Sequence, residues 1–195
     1  MYLNIYFSVT LLYCSLFFFL LTFRGDPLKL EIINAKKTPL GNEDVRSIVE
    51  IERHPMVKKW LIDYADEDFE KELEEYRKFF ADLPNNNLAD VLVAKHEGQA
   101  IGFLALWRIN GKAEEASVGI SVHPDYWGRG VATNLIRESI RLAKEKGIRR
   151  LVIETLEENS AMKHVAEKLG FRLEGVRRIF KDGTCREEDI YVLNL

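Results

Sequence analysis

Apolar and polar positions along this chain repeat with two different periods, and the switches between them mark out a series of elements. Period-two or continuous apolar runs predict strands over 29–35, 89–95, 100–109, 115–122 and 151–155, and a closing hairpin of 171–179 with 185–193. The 3.6-residue period predicts helices over 42–53, 66–80, 131–146 and 160–169, while Pro55 breaks the chain before 57–64. Turn chemistry separates them: Pro84 to Asn87, Glu97-Gly98, Asn110-Gly111 and Asp182-Gly183 each fall between periodic segments. In the helix 131–146, Ala132, Leu135, Ile136, Ile140 and Ala143 share one face. Arg137, Glu138, Arg141, Lys144 and Glu145 lie largely opposite, and Gly147 supplies a stop. The expected fold is α/β of the α+β kind, a mixed, mostly antiparallel sheet flanked by helices.

The first residues break this pattern. Residues 2–23 carry no charge, and at ~1.5 Å rise per residue such a run can cross a bilayer core. It lacks the Lys or Arg before the apolar stretch and the small-residue cleavage site of a secretory signal. As a membrane helix it would leave Arg24, Lys29, Lys36 and Lys37 on the cytoplasmic side, anchoring a cytoplasmic domain. As a segment absent from the mature protein it would cost nothing, because 28 onward accounts for a whole domain. Both readings stand, and residues 1–26 are set apart from a domain of 27–195.

Composition narrows the functions. A formal net charge of -3 with no basic stripe argues against nucleic acid as a partner. The two cysteines, Cys14 and Cys185, make no disulfide framework. His54, His96, His123 and His164 are scattered singly, with no metal-ligand spacing.

The chemistry concentrates in Val118 to Ala132, where an apolar strand turns through Pro124 into a glycine loop opening directly onto a helix. Gly128 and Gly130 permit close backbone approach and left-handed dihedrals. The amides of Val131, Ala132 and Thr133 then begin a helix whose positive end suits a diphosphate. The third glycine of a dinucleotide fingerprint is missing, as is the Gly-Lys-Ser/Thr ending of a triphosphate loop. A second unit follows: an apolar strand through Glu154, then Asn159 opening a helix that ends in Lys168, Leu169, Gly170, Phe171.

Together the two units resemble the GNAT family of acetyl-CoA-dependent N-acetyltransferases. The glycine loop is similar to its Q/R-x-x-G-x-G/A pyrophosphate motif, and Asn159-SAMKHVAEK-LGF to its N…A…Y-x-k-x-GF segment. The wording YWGRGVAT and His54-Pro55-Met56-Val57 are most similar to the ribosomal-protein N-terminal acetyltransferase branch, the RimJ/RimL type. The resemblance implies acetyl-CoA held at Gly128, Arg129, Gly130, Val131, Ala132 and Thr133, with main-chain groups of Ile120 and Val122 and the Asn159 side chain along the pantetheine arm. It implies direct transfer to an amine acceptor, a protein N-terminus or a small amine, with Glu154 taking the amine proton and no metal.

Residue by residue, blander readings stand beside these. Glu154 also fits a strand carboxylate in an ion pair, Asn159 an N-cap, and Arg129 a solvated cation. The family's acid, a tyrosine, is replaced by Ala166, and Met162 stands where a serine is common in the branch. Ser160, Tyr126, Tyr191 or water remain as substitutes. The loss of both hydroxyls keeps a non-catalytic acyl-CoA-binding or membrane-tethered module in view. Acceptor choice points to the acidic stretch of Asp63, Asp66, Glu67, Asp68, Glu70, Glu72, Glu74 and Glu75, which either attracts cationic amines or is a solvated helix face. Trp60, Tyr64, Phe69, Tyr76, Phe79 and Phe80 are expected in the core.

Overall fold

The computed structural model describes residues 28–61, 67–109, 113–181 and 183–195. The apolar segment 2–23, the Asn110-Gly111 turn, Asp182, and Asp63, Tyr64 and Asp66 lie outside the described residues. In chain order the elements are β1 (Glu31–Asn34), α1 (Asn42–Arg53), α2 (Pro55–Lys58), α3 (Phe69–Asp82), β2 (Ala89–His96), β3 (Gln99–Arg108) and β4 (Glu115–Val122). Then come α4 (Val131–Glu145), β5 (Arg150–Leu156), α5 (Ser160–Lys168), β6 (Arg172–Lys181) and β7 (Thr184–Asn194). Helix α3 begins later than its apolar period suggested, because Asp68 caps it by accepting from the amides of Glu70 and Lys71. The Glu97-Gly98 corner holds both residues at positive φ, 50° and 83°, as a tight hairpin requires.

The seven strands form one sheet in the order β1-β2-β3-β4-β5-β7-β6. Every neighbouring pair is antiparallel except β4 with β5. Strands β2 and β3 read as nearly unbroken apolar runs because both faces are covered. Leu92, Ala94, Leu104 and Leu106 pack under α4 with Leu135, Ile136 and Ala143. Val91, Val93, Phe103 and Ala105 face the other way, with Ile48 of α1 and Leu83 after α3.

One carboxylate ties several elements together. Asp90 on β2 is 1% exposed, and it lies 3.2 Å from Arg108 of β3, 2.6 Å from Lys146 after α4 and 3.6 Å from Lys36. At the far edge β6 is solvated along most of its length, leaving Phe180 79% exposed.

The sheet opens in its middle. Strands β4 and β5 pair only at Glu115↔Arg150, Ala116↔Leu151 and Ser117↔Val152, yet β4 runs on to Val122 and β5 to Leu156. Beyond the third pair each strand presents unladdered main-chain groups to the gap between them.

Candidate functional site

The glycine loop lies at the C-terminal end of β4, on the face covered by α4. Backbone conformation is what fixes its glycines: Gly128 has φ 71° and Gly130 φ 84°, and a Cβ at Gly128 would meet nothing among the described residues within 4 Å. Gly130 is the N-cap of α4 and brings no capping side chain. The first amide to turn back into the helix is that of Asn134, which donates to the Gly130 carbonyl at 3.0 Å. The N–H groups of Val131, Ala132 and Thr133 therefore point out of the helix start, where an anionic group would satisfy them. The loop is braced by Trp127, whose indole N–H donates to the Val122 carbonyl at 2.7 Å. Arg129 is exposed and its guanidinium lies 5.4 Å from the centre of the Tyr126 ring.

Strand parity orients β4. The His123 amide donates to Ile101, so odd-numbered residues ladder with β3 while Val118, Ile120 and Val122 turn their main-chain groups toward the gap. An extended, amide-bearing chain laid in the gap would find partners there. The Val122 carbonyl already serves Trp127, which leaves Ile120 the deeper of the two candidate positions.

Across the gap, Glu154 of β5 is half-buried and its Oε1 lies 3.1 Å from Arg177 Nη2 of β6. Arg177 also bonds the fully buried Glu188. Asn159 is the N-cap of α5, accepting from the Met162 amide at 3.2 Å through Oδ1, which leaves the side-chain nitrogen outside the cap. Among the candidate acids, Tyr191 is buried in the core and donates to Glu167 at 3.0 Å, Tyr126 packs beside His96 and His123, and Ser160 is exposed. Burial, with the Glu167 bond second, pushes the Tyr191 phenol up, away from proton donation near neutrality. Ala166 is fully buried and Met162 packs against the same core.

On the opposite face of the sheet, under α1 and α3, lies a cavity of about 350 Å³. Its walls include Tyr76, Phe79, Phe103 and Trp107, and its β4 side is Gly119, Ile120 and Ser121. Tyr76, Phe79 and Phe80, expected to be core residues, pack against Ile48 and Leu83 and line this cavity as well. Glu52 of α1 reaches in, accepting from the Tyr76 hydroxyl and, at 3.2 Å, from Ser121 Oγ. Burial pushes its carboxyl above the ordinary value, opposed by those two hydrogen bonds. Glu52 carried a legible signal: it occupies the i+7 place on the stripe of Val45, Ile48 and Val49, where an apolar residue belongs. The acidic residues Glu70, Glu74 and Glu75 are largely solvated, and Glu72 turns in to meet Arg53 at 2.7 Å.

A family model described as an acetyltransferase (GNAT) domain matches residues 38–172. A Bacillus subtilis protein named putative [ribosomal protein bS18]-alanine N-acetyltransferase is 26% identical over 136 residues, 70% of this chain and 80% of that one. The Escherichia coli spermidine N(1)-acetyltransferase is 27% identical over 160 residues, covering 78% and 82%. A putative acetyltransferase from Salmonella typhimurium, solved with its cofactor acetyl-CoA, shares the fold with a TM-score of 0.67 at 20% identity, over 85% of this chain and 93% of that one.

Proposed function

The chain belongs to the GNAT acetyltransferase family, and on that premise we propose that it moves an acetyl group from acetyl-CoA to a primary amine by direct attack in a ternary complex. The observation that carries this reading is the left-handed glycine loop feeding the bare amides of α4 beside the opened sheet. The loop at Gly128, Arg129 and Gly130 and the amides of Val131, Ala132 and Thr133 hold the two phosphates, and the Arg129 guanidinium adds charge. The pantetheine arm lies in the gap against Ile120 and Val122, with the Asn159 side-chain nitrogen as a further donor. The amine nitrogen bonds to the thioester carbon, the C–S bond breaks, and the sulfur leaves as thiolate. The amine proton passes to Glu154 through water. No hydroxyl donor is required, since a thiolate leaves readily near neutral pH.

The named acceptors of the two relatives, an alanine of a ribosomal protein and spermidine, are both amines, which supports the acceptor class. A protein N-terminal residue is the form of amine that the loop's resemblance to the ribosomal-protein branch favours. The domain taken to work in this way is 27–195, on the cytoplasmic side that Arg24, Lys29, Lys36 and Lys37 favour.

Thiol release from acetyl-CoA, assayed against N-terminal peptides, polyamines and aminoglycosides, tests the reading. Turnover is expected on at least one class, with Glu154→Gln lowering kcat by about 100-fold. Gly130→Asp is expected to abolish acetyl-CoA binding while leaving the circular dichroism spectrum intact. Undiminished affinity in that variant would mean the phosphates sit elsewhere.

A further inference from the structure

Taking that transfer reading as its basis, we infer that Glu52, aimed into the cavity beneath α1 and α3, determines acceptor specificity in this chain and selects a primary amine on a short apolar body. Three observations support it. The cavity reaches β4 at Gly119, Ile120 and Ser121, the stretch whose far side faces the gap proposed for the pantetheine arm. A group entering from the α1 face would thus arrive at the thioester without crossing the cofactor's path. Second, Glu52 is aimed into the cavity and held by Tyr76 and Ser121, so an inward carboxylate is fixed with lone pairs left to accept from an ammonium group. Among the described residues, those lining the cavity include no Lys, Arg or His to neutralise it. Third, the remaining walls are chiefly apolar and aromatic.

Such walls accept one ammonium group, through Glu52, and favour an aliphatic or aromatic body behind it. They disfavour further charges along the same chain, which would lose hydration without gaining a partner. Glu75, the other acidic residue at the cavity, stands at the solvated rim within 3.8 Å of Lys71. A volume of about 350 Å³ suits a small amine or one terminal residue of a peptide.

Steady-state kinetics with phenethylamine, spermidine and a phenylalanine-initiated peptide test this at saturating acetyl-CoA. Phenethylamine or the peptide is expected to exceed spermidine in kcat/KM by at least tenfold, and the better of the two tells a free amine from a chain terminus. Glu52→Gln is expected to raise the KM of the better acceptor at least tenfold while the KM for acetyl-CoA changes by less than twofold. Tyr76→Phe, which keeps the carboxylate and loosens its hold, is expected to raise the same KM by a smaller factor. A tenfold preference for spermidine overturns the inference, and so does an unchanged acceptor KM in Glu52→Gln, in each case with the transferase intact. Failure of the wild-type protein to bind acetyl-CoA by calorimetry would remove the transfer reading and the pocket with it.

Discussion

Glu52 and Glu154 are two half-enclosed carboxylates in contrasting surroundings. Glu154 has a guanidinium 3.1 Å away, whereas the hydrogen-bonding partners of Glu52 among the described residues are neutral hydroxyls. For Glu52 the folded value lies above the ordinary 4.5, with burial the leading cause. The native state therefore holds its proton more tightly than the unfolded chain does. Its contribution to stability is complete below pH 4.5 and is lost as the pH rises through the folded value. Glu52→Gln is expected to remove that loss, so that urea midpoints of the variant fall less than those of the wild type between pH 4 and pH 7. Arg177 joins Glu154 to the fully buried Glu188. Arg177→Met is expected to destabilise the fold by about 2 kcal/mol, the scale of a charge-assisted hydrogen bond, measured by the same titration.

At the level of elements, the loop joining β4 to α4 depends on backbone shape more than on side chains. Gly130 at φ 84° carries the N-cap, and among the described residues its own Cβ would meet the Asn134 side chain alone, at 3.7 Å. Gly130→Ala should therefore fit sterically and still cost about 1–2 kcal/mol in left-handed strain, read as a lowered thermal midpoint. The glycine spacing made this loop legible in the sequence, as Glu97-Gly98 did the β2–β3 turn. The same local chemistry placed α1 and β4 at their observed ends. The opening between β4 and β5 was not legible from the residues alone, because both strands continue apolar past their last pair and only tertiary packing separates them. The cavity escaped for a related reason. Tyr76, Phe79 and Phe80 follow a helical stripe that reads as core, and the periodicity of α3 does not register that β4 leaves a space beneath them.

For the molecule as a whole, two layers of helix on a sheet of seven strands are cross-tied at Asp90, where charges from β2, β3 and the end of α4 converge beside Lys36. Removing that carboxylate leaves three cations facing one another. Asp90→Ala is expected to cost about 3 kcal/mol, lowering the thermal midpoint by roughly 10 °C in calorimetry. Function depends on the same layering. The glycine loop opens on the side of α4 and the aromatic cavity on the side of α1 and α3, with the parted strands as the proposed passage between. If the two substrates meet in that passage, each product has its own exit. The acylated amine can depart backward while the spent thiol carrier is still seated, so neither release has to wait for the other.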